Sequence, residues 1–162
     1  MNDEVLRLLP ADGPHPDLGA QARLYGQFVG SWDLENNQYD ENSDQWHVHQ
    51  GACHFRWVLD GRAIQDLWDT SPGAFGTTIR VYDRALDAWR VHWFGPNHGS
   101  FCTLLGRADG DRISQEGHQE DGRSIRWSFL DIERDSFTWR AEISDDDGRT
   151  WRLDQDVRAT RR

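Results

Sequence analysis

The stretch CHFRWVLDGRAIQDLWD, residues 53–69, decides the fold. Apolar and polar side chains alternate on both sides of Asp60-Gly61, and Asp-Gly between two alternating runs is a strong hairpin signal. Folding the stretch about that turn sets Trp57 opposite Ile64, Phe55 opposite Asp66 and Cys53 opposite Trp68. This is the apolar face and is expected to point inward. His54, Arg56, Gln65 and Asp69 take the other face.

The same punctuation recurs outward from this hairpin. Asp109-Gly110, Asp121-Gly122 and Asp147-Gly148 repeat it, and Arg84 to Asp87 fits a longer turn after Tyr82-Asp83. The spacing predicts strands at about 31–39, 46–59, 62–69, 76–83, 88–94, 99–107, 112–119, 123–132, 136–144 and 149–158. Sequential hairpins on this scale form an up-and-down antiparallel meander. Closing roughly ten such strands into an all-β barrel removes the exposed edges. Inward stripes are expected at Trp89, Val91 and Trp93, at Ile125, Trp127 and Phe129, and at Phe137, Trp139, Ala141 and Ile143. Trp151, Leu153, Gln155 and Val157 complete the series.

Before the strands, residues 1–17 carry Pro10, Pro14 and Pro16 among acidic groups and read as a flexible arm. Residues 18–162 read as one barrel domain. Asp17 is placed to cap a short helix through Phe28, with Leu18, Ala22, Tyr25 and Phe28 near one face, ended by Gly30 and covering one end of the barrel.

Composition narrows the function classes. The 162 residues carry 28 acidic and 18 basic groups, a net charge of −10, and every basic group is arginine. Without lysine there is no Schiff-base chemistry and no Walker-type phosphate loop. The negative charge argues against nucleic acid or an anionic membrane as partner. An all-arginine basic set also fits a GC-rich bacterial genome. Cys53 and Cys102 read as small buried thiols in a cytoplasmic protein, since MNDEVLRLLP is acidic and lacks a signal-peptide apolar run. No stretch reaches the roughly 18–20 apolar residues that span a bilayer. A monomer and a homodimer both remain open.

Nine tryptophans are spread over these strands, with Trp127, Trp139 and Trp151 twelve residues apart, one strand plus one turn. Each contributes a large apolar area and one N–H donor. A barrel lined this way has an aromatic interior suited to a flat apolar ligand.

Gly30-Ser31-Trp32, a Gly-x-Trp opening the first strand after a short helix, resembles the start of lipocalins and other calycins. Val58-Leu59-Asp60-Gly61-Arg62, Arg80-Val81-Tyr82-Asp83 and Trp89-Arg90-Val91 look like a group of uncharacterised bacterial calycin-like proteins. The resemblance covers about residues 28–158. It implies that Trp32 plugs the closed end and that an arginine of the last strand packs on it, with Arg158 the expected residue. It does not specify an activity, because calycins include carriers, haem proteins and some enzymes.

Polar residues on apolar faces are the candidates for chemistry, because burying them without partners costs free energy. Asp66 lies inward between Ile64 and Trp68, where desolvation would raise its pKa and suit it to proton transfer; an ion pair with Arg62 or another arginine is the alternative. His47 and His49 share the face of Cys53, Phe55 and Trp57 unless a bulge at Gly51 flips the phase. If the register holds, His49 and Asp66 are a candidate acid–base pair; two exposed histidines are the alternative. His-x-His on a strand also resembles cupin metal sites, but the glutamate of that pattern is absent, so no metal is expected. Haem-binding calycins use a late histidine and none follows His118, so no cofactor is expected.

His98, in Gly95-Pro96-Asn97-His98-Gly99, is expected at the cavity rim. Gln115 and Gln155 fall on inward parities, although a strict two-residue turn at Asp121-Gly122 would bring Glu116 and His118 inward instead. The expected function is binding of a small hydrophobic, aromatic or polycyclic molecule by His47, Phe55, Trp57, Trp68, Trp93, His98, Gln115, Trp127, Trp139 and Gln155. The competing expectation is a cofactor-independent isomerase, cyclase or dehydratase using His49 and Asp66. In a third reading the side chains fill the interior, and cavity volume discriminates it.

Overall fold

The computed structural model describes Val5 and residues 8–162. Ten strands follow one another: β1 (Gly30–Asp40), β2 (Gln45–Val58), β3 (Ala63–Asp69), β4 (Phe75–Asp83), β5 (Ala88–Gly95), β6 (Ser100–Asp109), β7 (Arg112–Gln119), β8 (Ser124–Leu130), β9 (Ser136–Ser144) and β10 (Arg152–Arg161). Each pairs antiparallel with its neighbours in sequence, and β1 also pairs with β10, so the sheet closes with no free edge. The Asp60-Gly61 hairpin has the expected register, with Trp57 opposite Ile64, Phe55 opposite Asp66 and Cys53 opposite Trp68. Its turn residues Leu59, Asp60 and Gly61 all have positive φ.

No bulge interrupts β2 at Gly51. The β1–β2 register runs unbroken from Gly30 opposite Phe55 to Asp40 opposite Gln45. The glycine answers a close approach instead: a Cβ there would stand 1.9 Å from the Asp69 carbonyl oxygen and 2.7 Å from Thr70 Cα. Both are backbone atoms, so Gly51→Ala is expected to cost about 1–3 kcal/mol through overpacking. Thermal unfolding checks this, and an unchanged melting temperature would mean that β2 and β3 separate there without cost.

The expected single helix from Asp17 to Phe28 divides in two. A 3-10 segment covers Pro16–Gln21 and one α-helical turn, α1, covers Ala22–Gly26. His15, not Asp17, is the N-cap, its Nδ1 accepting the Asp17 N–H at 3.2 Å. Gly19 breaks the helix with φ 55° and ψ −134°, a conformation open to glycine and strained for other residues. Within residues 1–17, read from the sequence as a flexible arm, three described residues bond to the β2–β3 hairpin. Ala11 N–H donates to Trp57 O (2.8 Å), Leu59 N–H to Leu8 O (2.9 Å) and His15 N–H to Gly61 O (2.9 Å).

The helical segment seals one end. Phe28 stacks on Phe129 with ring centroids 4.6 Å apart, and Trp32 meets Phe137 edge-on at 4.7 Å. Trp32 is fully buried, and its Nε1–H donates to Phe28 O at 2.8 Å. The arginine over its face is Arg161, at 4.1 Å from the ring centroid, not Arg158. β10 runs three residues beyond the expected end, so Arg161 pairs with Trp32 while Arg158 stands opposite Glu35 and is exposed. Gly30 completes the seal: its φ is 136°, and a Cβ there would lie 2.7 Å from Arg161 Nη1.

Candidate functional site

The far end of the barrel opens into a cavity of about 690 Å³. A void of this size argues against an interior filled by its own side chains and lies within the roughly 300–1,000 Å³ range of small-molecule sites. Phe55 and Phe129 line it nearest the sealed end. Trp68, Trp127 and Trp139 line it as a continuous aromatic wall, with centroids 5.6 Å apart for Trp68–Trp139 and 5.3 Å for Trp127–Trp139. Trp93, His47, His49, His98 and Gln155 also line it. All of these arise from inward parity on strands or, for His98, from the loop after β5.

Asp66 and Arg80 form the polar feature of the interior. Asp66 is 2% exposed and Arg80 is equally buried. Arg80 Nη1 donates to Asp66 Oδ2 at 2.7 Å, and the Thr78 backbone N–H donates to Oδ1 at 3.0 Å. Arg80 Nε also reaches Gln115 Oε1 at 3.4 Å, the atom that accepts the Tyr25 hydroxyl at 3.0 Å. The guanidinium stands 5.0, 5.5 and 5.8 Å from the ring centroids of Tyr25, Phe55 and Phe129. Burial in this nest pushes the Tyr25 phenol well above its ordinary range, with Arg80 opposing the shift.

Several expectations need correction. His49 and Asp66 both line the cavity but do not form a pair. Asp66 stands opposite Phe55, and His49 lies six residues closer to the mouth on the same strand, about 20 Å away at roughly 3.3 Å per residue. The alternative for Asp66, an ion pair with Arg62 or another arginine, is met by Arg80, while Arg62 bonds Asp17 on the surface. Gln115 is inward and Glu116 outward, as the first of the two registers had it, but Gln115 lies behind Arg80 and off the cavity surface. Trp57 is also off it, packed near Gly26 at the sealed end.

Trp151 and Leu153 are not part of an inward stripe. A register shift between Leu153 and Gln155 turns Leu153 outward and brings Asp154 to the cavity, while Gln155 and Val157 remain inside. Trp151 lies outside the barrel with the Arg126 guanidinium 4.4 Å from its centroid. Burial raises the Asp154 pKa, opposed by Arg152.

At the mouth, two histidines hold one loop. His98 Nε2 lies 3.2 Å from Pro72 O and 3.1 Å from Gly73 O. The His49 ring lies against Gly73, where a Cβ would approach its Cδ2 to 2.5 Å. Gln155 Nε2 donates to Asn36 Oδ1 (2.9 Å), and Asn36 Nδ2 to Thr70 Oγ1 (3.0 Å). This polar chain connects β10 and β1 to the same loop. Both cysteines are free. Burial raises Cys53 well above its ordinary value and Cys102 to about 12, so both are thiols at neutral pH and neither supplies a thiolate nucleophile. Among the described residues no three His, Cys, Asp or Glu side chains gather as a metal site, and no helix is long and apolar enough to cross a membrane.

Fold and site together define a closed antiparallel barrel with one sealed end and an internal aromatic cavity. No family model matches the chain, and no curated protein matches it. Among solved structures it is similar to a de novo designed fluorescence-activating beta barrel. That match has 11% identity and a TM-score of 0.37, over 85% of this chain and 95% of that chain.

Proposed function

We propose that this protein binds a small, flat, hydrophobic molecule of aromatic or polycyclic type inside its barrel. The observation that carries this reading is the wall of Trp68, Trp127 and Trp139 along a cavity of about 690 Å³. Offset and edge-on ring contacts suit a planar guest, and each is worth about 0.5–1.5 kcal/mol beyond the area it buries. Gly30-Ser31-Trp32 under Arg161 supports kinship with calycins, and the two free buried thiols support a cytoplasmic location. The enzymatic alternative loses its acid–base pair, because both Asp66 oxygens accept protein donors and His49 is at another depth.

Titration with Nile red, an uncharged polycyclic fluorophore, tests the reading. One saturable site is expected, with quenching of tryptophan emission. Trp139→Ala should weaken binding about tenfold, the loss of roughly 1.4 kcal/mol of stacking and contact, while unfolding stays cooperative. Absence of saturable binding by Nile red would count against the container.

A further inference from the structure

Resting on the container reading, we propose that the ligand carries an uncharged oxygen acceptor, an aryl ketone or quinone-type carbonyl, directed at Arg80. Arginine has five N–H donors. In Arg80, Nη1 serves Asp66 and Nε reaches Gln115 at 3.4 Å, while Nη2 makes no hydrogen bond to any other described residue. The residue is 2% exposed and yet lines the cavity. Nη2 is not among the buried donors that lack a partner, so it keeps access to the cavity, the space that a ligand would fill. Tyr25, Phe55 and Phe129 present ring faces to the guanidinium, and ring faces attract its charge without accepting its in-plane N–H groups as a carbonyl does. An apolar guest would displace cavity water and leave these donors without an acceptor, a penalty that a ligand oxygen removes.

The charge of the site selects a neutral oxygen. Asp66 lies 2.7 Å from Arg80, so the cation already has its counter-ion. A ligand carboxylate would bring a second buried anion to one cation, beside the Asp66 carboxylate, and lose its hydration as it entered. A carbonyl takes the free donor without that cost. The aromatic wall between this point and the mouth sets the rest of the molecule as a planar ring system.

Three probes of nearly equal shape separate these terms: fluorene, 9-fluorenone and fluorene-9-carboxylate. Each is titrated into the unaltered protein by tryptophan quenching. 9-Fluorenone is expected to bind about tenfold tighter than fluorene, the difference made by one hydrogen bond from a charged donor, and also tighter than the carboxylate. Infrared spectra should show the bound carbonyl stretch below its frequency in hydrocarbon solvent. A variant lacking both charges, Asp66→Leu with Arg80→Met, should lose the preference for the ketone and retain fluorene. Equal affinity for fluorene and 9-fluorenone with an unshifted carbonyl would overturn the proposal and leave the container reading standing. Tightest binding by the carboxylate would overturn the choice of a neutral oxygen. Failure of all three probes and Nile red to bind would overturn both readings.

Discussion

Replacing Arg80 with methionine is expected to lower folding stability by about 3–5 kcal/mol, because it strands the Asp66 carboxylate in the barrel with one backbone donor at Thr78. Removing both charges, with Asp66→Leu and Arg80→Met, should recover most of that loss or exceed the original stability. Desolvating two charges offsets much of their attraction, and apolar replacements of similar volume are often neutral or stabilising. Urea unfolding at neutral pH measures both variants, the midpoint giving the change and a constant slope confirming that the unfolded state is unaltered. The size of the single-variant loss also reports on the cavity. If Arg80→Met costs less than about 1 kcal/mol, water reaches Asp66 readily and the pair behaves like a surface one. On the proposed binding of a carbonyl ligand, a dry pair is also what would favour the ligand oxygen, so stability and binding would measure the same desolvation.

Arg80 is a central residue that strand alternation does not reveal. In β4 the apolar side chains Phe75, Ile79 and Val81 occupy one parity, which alternation alone reads as the buried face; yet Phe75 and Val81 are exposed. The inward face carries Thr78, Arg80 and the partly buried Tyr82. Carrying the β3 register across the next turn finds it, since Asp66 faces Thr78 and Ile64 faces Arg80.

Period-two patterning does locate all ten strands and the residues of the aromatic wall, because Asp-Gly turns set the hairpin phase locally. Depth is another matter. Faces follow from parity, but height in a barrel follows from strand stagger around the whole circle. Parity puts His47 and His49 on the correct face, but the local hairpin register, with Phe55 opposite Asp66, already sets His49 six residues away along the strand, and so the His49–Asp66 pairing fails. A β-bulge likewise adds one residue without changing the alternating appearance of the sequence. Between Leu153 and Gln155 it exchanges an expected inward leucine for an inward aspartate.

Trp32→Ala should be as damaging as the loss of Arg80, about 3–5 kcal/mol, the range for truncating a fully buried aromatic side chain. The indole fills the sealed end between Phe28 and Phe137, and its N–H satisfies the Phe28 carbonyl. Its outer face carries Arg161, whose guanidinium also donates to Val29 O at 2.9 Å, Gln27 O at 3.0 Å and Arg134 O at 2.9 Å. One side chain thus ties the last strand to the chain leaving α1 and to the β8–β9 loop. Arg161→Ala is expected to cost about 1.5–3 kcal/mol, the range for hydrogen bonds made by a charged group, taken once because the three bonds share one side chain. Arg158→Ala, on the exposed face opposite Glu35, should stay within about 0.5 kcal/mol. Chemical unfolding of the three variants separates the two arginines. Comparable losses at Arg158 and Arg161 would mean that the last strand ends in a different register and that another contact seals the barrel. Loss at Arg161 alone supports the motif's physical basis: glycine at position 30 leaves room for a guanidinium, and the guanidinium caps the tryptophan that closes this end of the barrel.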